Sequence, residues 1–149
     1  MRSWIAGLLL LMLGVPEYAS PCSPCPSELS LSQTIQKADL IVIGTLAKPA
    51  LQLGPADRQP SFITVVVEKT LKGKASGGRI RVHSFYGMCP FGLSMEADER
   101  AVIYLSKVDD GYASVDEGCA YKKTPIVNAS VMADGEWMPL ADFQSKYLP

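Results

Sequence analysis

Four cysteines and a single histidine are the residues of this chain best equipped for chemistry, and their placement limits what that chemistry is. Cys22-Ser23-Pro24-Cys25 forms a C-x-x-C, whereas Cys89 and Cys119 stand apart. As a redox pair, one of the two N-terminal thiols would attack through a mixed disulfide after its pKa is lowered. Such pairs sit at a helix start directly after a strand. Here the motif lies in a proline- and serine-rich stretch, residues 21–30, with no strand pattern ahead of it. A four-thiolate zinc site fits by count, but the second pair lacks ligand spacing. An even number of cysteines in an exported chain points instead to two structural disulfides, with three possible connectivities. Each N-terminal cysteine then staples an extended tail to a loop of the domain. A bridge closing so long a loop contributes roughly 4 kcal/mol by the chain-entropy argument.

The remaining polar candidates are weaker. His83 alternates with Arg79 and Arg81 on one strand face, where a solvated histidine is the expectation. Phe85 continues that face, which is a candidate ligand surface. Glu96, Asp98 and Glu99 crowd one turn without the glycine and spacing of a calcium loop. Asn128-Ala129-Ser130 matches a glycosylation sequon. No G-x-S-x-G, H-E-x-x-H, phosphate loop or dinucleotide fingerprint occurs, so neither an enzyme nor a cofactor is expected.

Export is argued from the N-terminus. Arg2 supplies a positive charge and Trp4 to Val15 an apolar run of about a dozen residues, shorter than the roughly 20 that span a bilayer. Residues 1–20 therefore read as a signal peptide, and the mature protein is expected to be secreted or periplasmic, without a membrane span. The formal net charge of -1 gives no electrostatic footprint for nucleic acid.

The elements that must position these residues are mostly strands. Ser30 and Gln33 have capping-box spacing, and Leu31, Ile35 and Ala38 share a helical face. Asp39 to Ala47 is apolar on both faces, as a central strand is. Further strands are expected over Phe62 to Leu71, Arg79 to Phe85, Arg100 to Val108 and Tyr112 to Cys119, the last entered through Asp109-Asp110-Gly111. Five strands after one short helix, with no βαβ alternation, predict a mainly β fold: a small antiparallel barrel or sandwich. Beyond Cys119 the pattern is mixed, with a turn at Asp134-Gly135 and a helix over Pro139 to Leu148.

Taken in order, these features resemble the tissue inhibitors of metalloproteinases and their single-domain bacterial relatives. The resemblance covers Cys22 to about Thr124. It rests on the N-terminal cysteine pair, a short helix ending in Ala38-Asp39, Leu40-Ile41-Val42-Ile43-Gly44, Leu71-Lys72-Gly73, Cys89, the Ala101 to Leu105 strand and Cys119 closing the fifth strand. It implies an OB-like five-stranded barrel and the pairings Cys22–Cys89 and Cys25–Cys119. It also implies an inhibitory ridge in which the Cys22 amine and carbonyl chelate a protease zinc. Ser23 would enter the specificity pocket, and Met88, beside Cys89, would flank the ridge.

The expected organisation is a signal peptide at 1–20, an OB-like domain at 21–124 and an extension at 125–149 packing on it. The expected function is metalloendopeptidase inhibition or another protein-binding role, the partner being a zinc metalloprotease or other protein. The alternatives are an envelope OB-fold binding module without inhibition, and a C-x-x-C thiol oxidoreductase.

Overall fold

The fold was analysed in a computed structural model that describes residues 28–47, 62–83 and 92–148. Ser30 starts helix α1 (Leu31–Lys37) through a full capping box: its hydroxyl accepts from the Gln33 amide while its own amide donates to the Gln33 side chain. Five strands follow: β1 (Leu40–Leu46), β2 (Phe62–Lys72), β3 (Arg79–His83), β4 (Arg100–Val108) and β5 (Gly111–Ser114). Their hydrogen-bonded order is β1-β2-β3-β5-β4, and β1 pairs back onto β4, so the sheet closes into a barrel. Every junction is antiparallel except β3 with β5, which run parallel and meet at Val82 and Tyr112. The expected OB-like five-stranded barrel is thus the fold.

Strand pleat sorts the apolar residues into two cores. Inside the barrel lie Leu40, Val42, Ile63, Val65, Ile80, Val82, Ala101, Ile103 and Leu105. Alternate residues of β1 and β4, namely Ile41, Ile43, Val102 and Tyr104, face outward into a second core. There they meet Leu31 and Ile35 of α1, Val131 and Phe143. This is why the β1 and β4 sequences carry no polar face.

Gly111 makes the parallel junction possible. A Cβ there would sit 2.8 Å from the Arg81 carbonyl oxygen, and the residue's φ of +148° lies where side chains are rarely tolerated. The Asp-Gly turn read from the sequence is therefore also the point where β5 is brought against β3.

The fifth strand is shorter than expected. It ends at Ser114, and Val115–Gly118 form a 3-10 turn with Cys119 at its C-cap, so Cys119 does not close a strand. The physical reason is Val115, which leaves the ladder to bury itself in the second core, followed by Asp116 in a left-handed conformation (φ 53°).

The C-terminal region is a meander of β6 (Lys123–Val127), β7 (Ser130–Ala133) and β8 (Glu136–Pro139), followed by α2 (Leu140–Tyr147). The turn at Asp134-Gly135 and the terminal helix match expectation. Strand β6 was not expected, the pattern after Cys119 being mixed, and it contains Pro125, which a strand interior rarely accepts. It is accommodated at a change of partners: residues 123–125 pair with β4 and 126–127 with β7. β6 therefore crosses the expected domain boundary at 124/125 and ties residues 125–148 into the barrel sheet.

Two buried hydroxyls contrast. The Tyr104 and Thr124 hydroxyls share a 2.9 Å hydrogen bond, and burial pushes the phenol above its ordinary pKa range. Ser114 Oγ is buried with no hydrogen-bond partner among the described residues, which costs about 1–3 kcal/mol of desolvation. Ser114→Ala should therefore raise stability by about 1 kcal/mol in a urea titration. A loss of that size would contradict the assignment.

Candidate functional site

Of the expected site residues, Cys22, Ser23, Cys25, Met88 and Cys89 lie outside the described residues, as does Phe85. Cys119 is described, and Leu29, just ahead of α1, reaches it. The Leu29 amide donates to the Cys119 carbonyl at 3.1 Å. Thr34 of α1 fixes the same place from the other side: its Oγ1 donates to the Ser30 carbonyl (2.9 Å) and accepts from the Tyr121 amide (3.3 Å). Between these contacts is a cleft of about 510 Å³ lined by Glu28, Leu29, Ser30, Gln33, Cys119, Ala120 and Tyr121.

The direction of the chain matters as much as the contact. Because β3 and β5 are parallel neighbours, His83 and Ser114, the strand ends from which segments 84–92 and 115–121 start, lie at the same end of the barrel. The ends of the first are joined by a hydrogen bond from the Leu93 amide to the His83 carbonyl (3.1 Å). Leu29 lies at the exit of the second.

The helix that delivers Leu29 is itself locked. Lys72 Nζ donates to the Ile35 and Gln36 carbonyls at 2.8 and 2.9 Å, placing a cation on the C-terminal end of α1. Asp39 Oδ2 accepts the Lys107 amide (2.9 Å), and the Asp39 amide donates to the Leu105 carbonyl (2.9 Å). Gly73, at φ +76°, lies so close to the Asp39 carbonyl that any Cβ would collide with it. Ala38-Asp39 and Leu71-Lys72-Gly73, two of the motifs that carry the resemblance, therefore form one structural knot at the foot of α1.

A second cluster lies on the outer face of β2 and β3. Cross-strand pairing places Phe62 beside His83, Thr64 beside Arg81 and Val66 beside Arg79. The His83 ring packs on Phe62 with centroids 4.3 Å apart, and the Arg81 guanidinium carbon sits 4.1 Å from the Phe62 centroid. His83 Nε2 is 3.0 Å from Asp110 Oδ1, and this hydrogen bond holds the Asp110 carboxyl below its ordinary range. The solvated histidine expected here is instead stacked and bonded, with its side chain only 15% exposed. Neither Phe62 nor Asp110 stood out in the sequence. The usable signal was that Phe62 begins a strand whose register with His83 is fixed by the turn at 73–78.

The acidic turn resolves into local structure. The Glu96 amide donates to Glu99, and Lys123 pairs with the same Glu99 carboxylate. Among the described residues no three His, Cys, Asp or Glu side chains are grouped to hold a metal, and no helix is long and apolar enough to cross a membrane. Asn128 is exposed in the turn joining β6 and β7. Val127, Met132 and Trp137 are exposed on one face of the meander, Met132 directly opposite Trp137. No protein-family model, curated protein or solved structure matches this chain.

Replacing Lys72 by methionine keeps most of its aliphatic packing but removes the cation from the α1 terminus. Lys72→Met should cost about 1–2 kcal/mol in a denaturant titration, and it should speed hydrogen exchange in α1 more than in β3. Equal stability would show that the knot does not hold the helix.

Proposed function

We propose that this chain is an exported, non-enzymatic, protein-binding domain of the metalloproteinase-inhibitor type, acting through the N-terminal segment that precedes Glu28. In this reading residues 1–20 direct export, and Cys22–Cys89 and Cys25–Cys119 pin the segment across neighbouring loops. The observation that carries the proposal is the convergence at Cys119. Leu29 is hydrogen-bonded there, Thr34 of the following helix accepts from the nearby Tyr121 amide, and β3, the strand that precedes Cys89 in the chain, ends at the same end of the barrel as β5.

Chain length permits the Cys25–Cys119 pairing. Cys25 is four residues before Leu29, so it lies within about 14 Å of that anchor even when fully extended. A disulfide needs Cα atoms about 4.4–6.8 Å apart. Pinned at two points, the segment would lose little further freedom on binding, which lowers the entropic cost of docking it into a cleft. A Cys22 with a free amine would supply a nitrogen and a carbonyl oxygen to a protease zinc, with Ser23 entering the adjoining pocket and Met88 beside it. Acylation would remove the amine as a donor, so the chemistry depends on Cys22 being the first residue of the mature chain.

Two measurements on secreted protein test this reading together. Non-reducing peptide mapping is expected to return Cys22–Cys89 and Cys25–Cys119, and a chain beginning at Cys22 is expected to inhibit a zinc endopeptidase stoichiometrically. One added N-terminal alanine should weaken inhibition by at least a hundredfold, about 2.7 kcal/mol. A Cys22–Cys25 bridge would overturn the architecture. A mature chain starting at Pro21 or earlier, without inhibition, would overturn the chelation.

A further inference from the structure

The outer surface of the barrel is covered unevenly. Helices α1 and α2 and strand β7 pack over β1 and β4, and of β2 and β3 only Leu71 joins that core. The outer faces of residues 62–66 and 79–83 remain open, with Arg79 and Arg81 exposed and Phe62, Thr64 and Val66 partly so. Arg79 and Arg81 are two residues apart on one strand, so their Cα atoms lie about 7 Å apart on the same side. Neither forms an ion pair with a described residue. Asp110, whose charge Arg81 also feels, is already bound to His83.

This face is preorganised. Asp110 holds His83, His83 and Arg81 both pack on Phe62, and the guanidinium is thereby held in place before any ligand arrives. A guanidinium so fixed presents a planar fork suited to a carboxylate. Thr64, directly paired with Arg81, adds a hydroxyl.

The surroundings narrow the ligand further. A nucleic-acid strand would need an aromatic platform for its bases. Phe62, the described aromatic side chain other than His83 on this face, is already packed by Arg81 and His83. A peptide could not add as a strand, because β2 lies between β1 and β3, and β3 between β2 and β5. A polymer carrying carboxylates and hydroxyls, with no need for stacking or a free strand edge, fits what is offered.

We propose that the open face of β2 and β3 binds a carboxylated polysaccharide through Arg79, Arg81 and Thr64. The role of this surface does not depend on protease inhibition. The test is titration of the purified full-length processed chain with polygalacturonate at low salt, with neutral dextran and oligo-dT as comparison probes. Wild type is expected to bind polygalacturonate and not dextran, and R79Q/R81Q to bind at least tenfold more weakly. R81K, which keeps the charge but loses the fork, should lose about threefold. K37Q/K146Q, which removes the same charge from the two helices, should change binding less than twofold. Thermal melting of each variant checks that it folds. Absence of polygalacturonate binding by wild type would overturn the proposal. So would equal binding by R79Q/R81Q, an equal loss in K37Q/K146Q, or tighter binding of oligo-dT.

Discussion

The constraint on which the rest depends is that β4 is paired along both edges and buried on both faces. One edge is taken by β1 through residues 100–105. The other is divided, with β6 on residues 101–103 and β5 on residues 105–108. One face fills the barrel with Ala101, Ile103 and Leu105, and the other joins the second core through Val102 and Tyr104. The excursion from Ser114 to Lys123, which carries Cys119, exists because two strands share one edge of β4 and the chain must leave it between them. The stretch that receives Leu29 is therefore a consequence of how the barrel is closed.

Much of the fold was legible because this double burial removes polar residues from whole strands. Leu40 to Ile43 and Ala101 to Leu105 are continuous apolar runs, while β3 alternates because its outer face is open. The Ser30–Gln33 capping box marked the start of α1, and Asp109-Asp110-Gly111 marked the hairpin. What was not legible depended on contacts distant in sequence. Val115 reads as a strand residue until a second core exists to take it. The stretch beyond Cys119 reads as mixed because β6 divides its few residues between two partners.

The candidate site was legible in a different way. Cysteine spacing raised the expectation of a tethered N-terminal segment, and of that expectation the described residues bear only on Cys119, whose carbonyl accepts from the Leu29 amide. The knot of Lys72, Gly73 and Asp39 was visible only as a motif; its physical content is a helix terminus capped from a neighbouring strand. The cluster of Phe62, Arg81, His83 and Asp110 was half visible. The arginines and histidine alternate in β3, but Phe62 and Asp110 are brought in by β2 register and the β4–β5 turn. An alternating strand shows which residues share a face and cannot show what lies across from them.

Barrel, helices and C-terminal meander form one cooperative unit built on β4. Native-state hydrogen exchange along a denaturant series tests it most directly. The account predicts that amides of residues 101–105 and those of β6 and β7 exchange with the same free energy, equal to that of global unfolding. Exchange of residues 123–133 at a free energy several kcal/mol lower than that of β4 would contradict it, showing an appendage resting on an independently stable barrel.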